Sequence, residues 1–122
     1  FETMLSNSDA ISWWYKNRES RENYLAIAYK HPDDGILRAF YPDYIVHRKD
    51  GATSIYDTKS GFTANSAETK AKSDALRRYI KENNKLKLSG GIVVIDKTGT
   101  FVFNGDSYDH DLTNKSWNRL DI

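Results

Sequence analysis

The chain has no cysteine. That excludes a disulfide framework, a thiolate metal site and a Cys nucleophile. Proline occurs twice, at Pro32 and Pro42, so each marks one particular place in the chain. No apolar run approaches the roughly 20 residues of a membrane helix. Nothing has the pattern of a secretory leader either, and the compartment expected is the cytoplasm. Neither sign of charge dominates, since 18 basic and 17 acidic residues give +1 at pH 7. No global field therefore draws the protein onto nucleic acid, and any attraction must be local. Repeats and linkers are also missing. The chain opens on Phe1-Glu2 without an initiator Met, as a piece cut from a larger protein would.

What is present suits one folded domain over residues 1–122. A chain of 122 residues with 39% hydrophobic and 13% aromatic content can build one core but not two. The most informative stretch runs from Phe40 to Lys59, where two runs rich in β-branched and aromatic residues flank Lys49-Asp50-Gly51. That is a hairpin signal. A strict two-residue Asp-Gly turn would send Asp43 and Asp57 to opposite faces, because the side-chain period is two. A three-residue loop with Gly51 left-handed pairs Arg48 with Ala52, Ile45 with Ile55 and Asp43 with Asp57. We prefer this register because it also matches the isoleucines. It holds two carboxylates about 5 Å apart at Cβ, which is destabilising unless a cation lies between them. Lys59 falls on the same face as Asp57. Oxygen-only ligands favour a hard ion such as Mg²⁺.

Pro42-Asp43 followed by Asp57-Thr58-Lys59 resembles the motif of the PD-(D/E)xK nuclease superfamily. With Trp13-Trp14-Tyr15-Lys16-Asn17 upstream and Phe40 to Val46 around the first aspartate, the chain is similar to the nuclease domain of type III restriction enzymes and related helicase-nucleases, over about residues 1–97. The resemblance implies a restriction-endonuclease-like fold and a metal-dependent DNA endonuclease using Mg²⁺, with Mn²⁺ able to substitute. It implies Asp43, Asp57 and Lys59 as catalytic residues and Asp43, Asp57 and the Thr58 backbone carbonyl as metal ligands. Glu2 matches the acid on the first helix. DNA is the implied partner, with helicase or ATPase and specificity modules in the same chain or complex and a dimer for double-strand cleavage. The alternative keeps the fold as a catalytically inactive DNA-binding or interaction module. A second acid-x-Lys triplet, Glu68-Thr69-Lys70, has no paired aspartate upstream and reads as a solvated helix turn.

Elsewhere the pattern predicts an α/β domain, a central mixed sheet flanked by helices. Phe1 to Asn7 reads as a helix tail and Ala10 to Lys16 as a strand whose aromatics form core and packed rim, with a base-stacking platform as the alternative. Were Ile11 to Glu22 one helix, Glu19 or Glu22 would replace Glu2. Tyr24 to Lys30 alternates as a strand, and His31 to Gly35 is a turn with a solvated histidine. Ile36 to His47 is a long strand, interrupted or bent near Pro42, where proline forces an edge or a bulge. Thr58, out of phase with its neighbours, should face away and pack. A helix capped by Asn65, with Glu68 as its capping-box partner, runs to about Asn83. Its early lysines, Lys70 and Lys72, can reach a phosphate. Ile92 to Ile95 is a strand covered on both faces, and Thr100 to Phe103 its antiparallel partner. Asp106, Asp109, His110 and Asp111 read as turn residues, and Trp117 and Leu120 as a docked terminal helix.

Overall fold

The computed structural model describes residues 1–17, 25–59, 66–96, 98–104 and 117–120. It contains a short helix α1 (Glu2–Asn7), strands β1 (Ile11–Lys16), β2 (Ile27–Lys30), β3 (Leu37–Phe40), β4 (Tyr44–Arg48) and β5 (Thr53–Thr58), and a long helix α2 (Ala67–Glu82). A 3₁₀ turn (Asn84–Leu86) leads to β6 (Leu88–Ile95), β7 (Phe101–Asn104) and β8 (Trp117–Arg119). Six strands form one sheet in the order β1-β4-β5-β6-β7-β8, and β2 and β3 form a separate pair. Among the described strands only β5 and β6 run parallel, joined across α2, so the sheet is mixed. It is an α/β arrangement, rich in strand.

The β4–β5 hairpin has the three-residue register. Ile45 faces Ile55, Arg48 N–H donates to the Ala52 carbonyl at 2.8 Å, and Gly51 N–H donates to the Arg48 carbonyl at 3.1 Å. Gly51 has φ +91°, the left-handed value that this turn demands. The pleat sorts side chains to two faces. Tyr44, Val46, Tyr56 and Val93 join Leu5, Ile11 and Leu120 in a core on the α1 side. Ile55 packs on the other side with Ala75 and Leu76 of α2 and with Ile27, Tyr29 and Phe40 of the small sheet. Ile92, Val93 and Val94 are all buried, as expected of a strand covered on both faces, but Ile95 at the strand's end is exposed, so the cover stops one residue short of the expected run.

Three elements differ from the sequence reading. The strand expected from Ile36 to His47 is interrupted at Tyr41-Pro42-Asp43, where a break or bend was expected, but its halves lie in two sheets: β3 pairs with β2 and β4 joins the main sheet. Pro42 has no N–H to continue a ladder. The expected terminal helix at Trp117 is strand β8, paired with β7 through Asn104 and Trp117. Here an available sheet edge outweighs local propensity. The cap of α2 lies one residue late, at Ser66, whose Oγ accepts from Thr69 N–H at 3.0 Å. Asn65, Glu19, Glu22, Ser60 to Thr63, and Asp106, Asp109, His110 and Asp111 lie outside the described residues. Because Ile11–Lys16 is a strand, one helix from Ile11 to Glu22 is ruled out.

Candidate active site

Asp43 stands just before β4, while Asp57 and Thr58 end β5 and Lys59 follows directly. The β4–β5 ladder alternates hydrogen-bonded and open pairs. Continued two residues past Tyr44–Tyr56, it would set Thr58 against Pro42 as a hydrogen-bonded pair. Proline leaves the Thr58 carbonyl without a cross-strand donor. In place of a ladder bond, Thr58 N–H donates to Asp43 Oδ2 at 3.0 Å and Thr58 Oγ1 donates to the same oxygen at 2.7 Å. Thr58 therefore does not merely pack; it clamps Asp43 to the end of β5. Asn17 N–H donates to the Asp43 carbonyl at 2.8 Å, tying the same residue to β1.

Asp57 is 1% exposed. The Lys59 ammonium lies 3.0 Å from Asp57 Oδ2. Even so, among the described residues that oxygen has no well-aligned donor, so the Lys59 contact is an ion pair of poor hydrogen-bond geometry. Burial pushes the Asp57 carboxyl up to about 6. Lys59 opposes the rise, the neighbouring Asp43 charge adds to it, and Lys72 weakly opposes it. A buried carboxylate oxygen without an aligned donor is what a cation or a proton would satisfy. Two carboxylates and a backbone carbonyl suit Mg²⁺, which keeps waters and takes few protein ligands. Among the described residues, no three His, Asp or Glu side chains gather into a fuller metal set.

The other expected site residues divide. Lys72 is brought to this side of the sheet, with Nζ 5.4 Å from the Tyr29 ring centroid, 5.8 Å from that of Phe40 and 3.4 Å from Glu68 Oε1. Lys70 lies two residues back on α2 and is exposed, turned away from Lys72 by the helical period. Glu2 is not brought to the carboxylates. It accepts from Tyr44 Oη at 2.7 Å and sits 3.8 Å from Lys16 Nζ, on the α1 face of the sheet, opposite to Asp57.

Sequence reasoning passed over a second group. Glu68 accepts from Tyr29 Oη at 2.7 Å instead of closing a capping box. The Tyr29 hydrogen bond, helped by Lys72, holds the Glu68 carboxyl below its ordinary range. Burial, with Glu68, raises the Tyr29 phenol. His31, expected in solvent, is 8% exposed. Its Nδ1 accepts from Asp33 N–H at 3.2 Å, which leaves Nε2 to carry the proton of the neutral ring. Nε2 is 3.7 Å from Glu68 Oε2. The four-residue spacing of Glu68 and Lys72 was a usable signal. His31 offered none, because its partner is distant in sequence.

The family model that matches this chain is YagJ, over residues 2–105. The chain belongs to the YagJ family. No curated protein and no solved structure matches it. The match covers α1 through β7 and so includes Asp43, Asp57, Thr58 and Lys59 of this YagJ-family protein. No helix among the described residues is long and apolar enough to cross a membrane.

Proposed function

We propose that this YagJ-family protein is a divalent-metal-dependent DNA endonuclease, or the nuclease domain of one, on a restriction-endonuclease-like fold. The observation that carries the reading is the buried Asp57 oxygen. It is paired with Lys59 yet lacks an aligned donor among the described residues, and Asp43 is clamped beside it by Thr58. The order helix, antiparallel strands, helix and parallel strand supports the same resemblance.

Asp43, Asp57 and the Thr58 carbonyl are the residues that would hold Mg²⁺ or Mn²⁺. When bound, the cation supplies Lewis-acid polarisation of a phosphate and a lowered pKa for water. The chain's own groups do the rest. Thr58 fixes the Asp43 carboxylate through two hydrogen bonds to one of its oxygens, Oδ2. Lys59 keeps its ammonium at the carboxylate pair, where it orients the attacking water and offsets charge developing on the phosphoryl oxygens. Lys72, held by Glu68, meets a flanking phosphate as a second cation. DNA is the substrate, and helicase or specificity modules would supply sequence choice.

Plasmid nicking tests this. The wild-type protein nicks supercoiled plasmid with Mg²⁺ or Mn²⁺ and not with EDTA, and Lys59→Ala lowers the rate at least about a hundredfold. Equal nicking by both proteins would leave only the inactive-module reading.

A further inference from the structure

Strand β1 carries an irregularity between Ile11 and Trp13: Ile11 pairs with Arg48, yet Trp13 pairs with His47. The extra residue flips the alternation. Without it, Trp13 would follow Ile11 into the α1-side core, and Trp14 would point to the other face. With it, Ile11 and Trp14 both reach the core and Trp13 is turned onto the face that carries Asp57. There the indole lies nearly parallel on the His47 ring, with centroids 5.2 Å apart and 18° between planes. His47 is itself held, with Nδ1 3.1 Å from Thr53 Oγ1. The indole is 50% exposed, so one π-face is backed by a fixed ring and the other meets water.

We propose that Trp13, backed by His47, is a stacking shelf for an unpaired base of a DNA strand whose backbone crosses Asp43 and Asp57. Trp13 is two strands from β5 and aligns with Thr53 through His47. Strand spacing and rise place it about 16 Å from Asp57 on the same face, a few nucleotides along an extended chain. Lys49, exposed in the hairpin loop, is tied to the start of β1 by its N–H to the Ala10 carbonyl and supplies positive charge at that end. A flat, exposed, braced ring fits a base, whose π-face any sequence provides. Paired bases in a duplex cannot offer that face. The substrate strand is therefore single-stranded or locally opened where it meets β1. The choice of DNA rests on the hydrolase reading; the shelf geometry does not.

The test is binding in EDTA, where no cleavage occurs, followed by tryptophan fluorescence and anisotropy. Wild-type protein binds short oligo-dT more tightly than a duplex of equal length, with quenching of its emission. Trp13→Ala and Trp13→Thr, checked for folding by urea unfolding, bind oligo-dT about tenfold more weakly, the loss expected when one base stack is removed. Trp13→Phe keeps most of the affinity and loses the quenching. Unchanged affinity in folded Trp13→Ala or Trp13→Thr overturns the shelf, as does equal binding of duplex or no binding of either DNA. Lys59-dependent nicking alongside such a result would leave the hydrolase reading standing without the shelf. Trp13-dependent binding without any nicking would leave the shelf and remove the hydrolase.

Discussion

Asp57 is buried as a carboxylate, and that has a measurable consequence for folding. Its folded pKa of about 6 lies above the ordinary 3.8. The folded protein therefore holds a proton on Asp57 that the unfolded chain has released between those values. The group's contribution to stability is complete below about pH 3.8 and is lost as pH rises through about 6. A rise of about two pH units, at 1.36 kcal/mol each, is about 3 kcal/mol, an order-of-magnitude value. Asp57→Asn removes the titration while keeping the shape. We therefore expect the variant, without metal, to gain about 3 kcal/mol on wild type between pH 4 and pH 7, whatever constant offset its amide introduces. Urea unfolding across that range, in EDTA, measures the difference directly. Other carboxylates cancel in it; Glu68 and Asp96, for instance, are shifted downward and act with the opposite sign. Adding Mg²⁺ at pH 7 should stabilise wild type by mass action and leave Asp57→Asn unchanged. A wild-type-minus-variant difference that is flat with pH would refute the burial argument. A flat response to Mg²⁺ would refute the cation.

Two further outcomes follow from the same geometry. Asp43→Ala should cost about 2 kcal/mol in urea unfolding, because Thr58 loses both of its bonds to a charged acceptor. It should also draw the Asp57 titration midpoint downward, since the Asp43 charge helps raise it; an unchanged midpoint would separate the two aspartates. Gly90→Ala should abolish folding or cost more than about 3 kcal/mol. A Cβ there would stand 1.9 Å from the Ile55 carbonyl oxygen, at φ +134°. Soluble protein with a wild-type unfolding midpoint would contradict the close approach of β5 and β6.

The hairpin was legible because everything that specifies it lies within some twenty residues. Lys49-Asp50-Gly51 dictates the loop, Gly51 its left-handed residue, and the period of two carries the register out to Asp43 and Asp57. The strand Ile92 to Ile95 and the helix that ends near Asn83 were legible for similar reasons: an apolar run and a long amphipathic period. The division at Pro42 was half legible. Proline announced a break, but nothing local said that β3 would leave the sheet to pair with β2.

Other features depended on partners far away in the chain. Glu2 has a suitable charge, yet α1 packs on the wrong face, because Leu5 is drawn to Tyr44, Val46 and Tyr56. His31 is buried because α2 brings Glu68 against it. Trp13 faces outward because one extra residue in β1 reverses the alternation, which no spacing rule reveals.

The sequence by itself determined which side chains a short turn must bring together, since turn chemistry and strand period act over neighbouring residues. Only the tertiary structure decided which face each helix covers, and so which charges are stripped of water. Desolvation depends on what packs above a residue, and those atoms come from other parts of the chain. Asp57 belongs to both accounts: its place opposite Asp43 is local, and its burial is not.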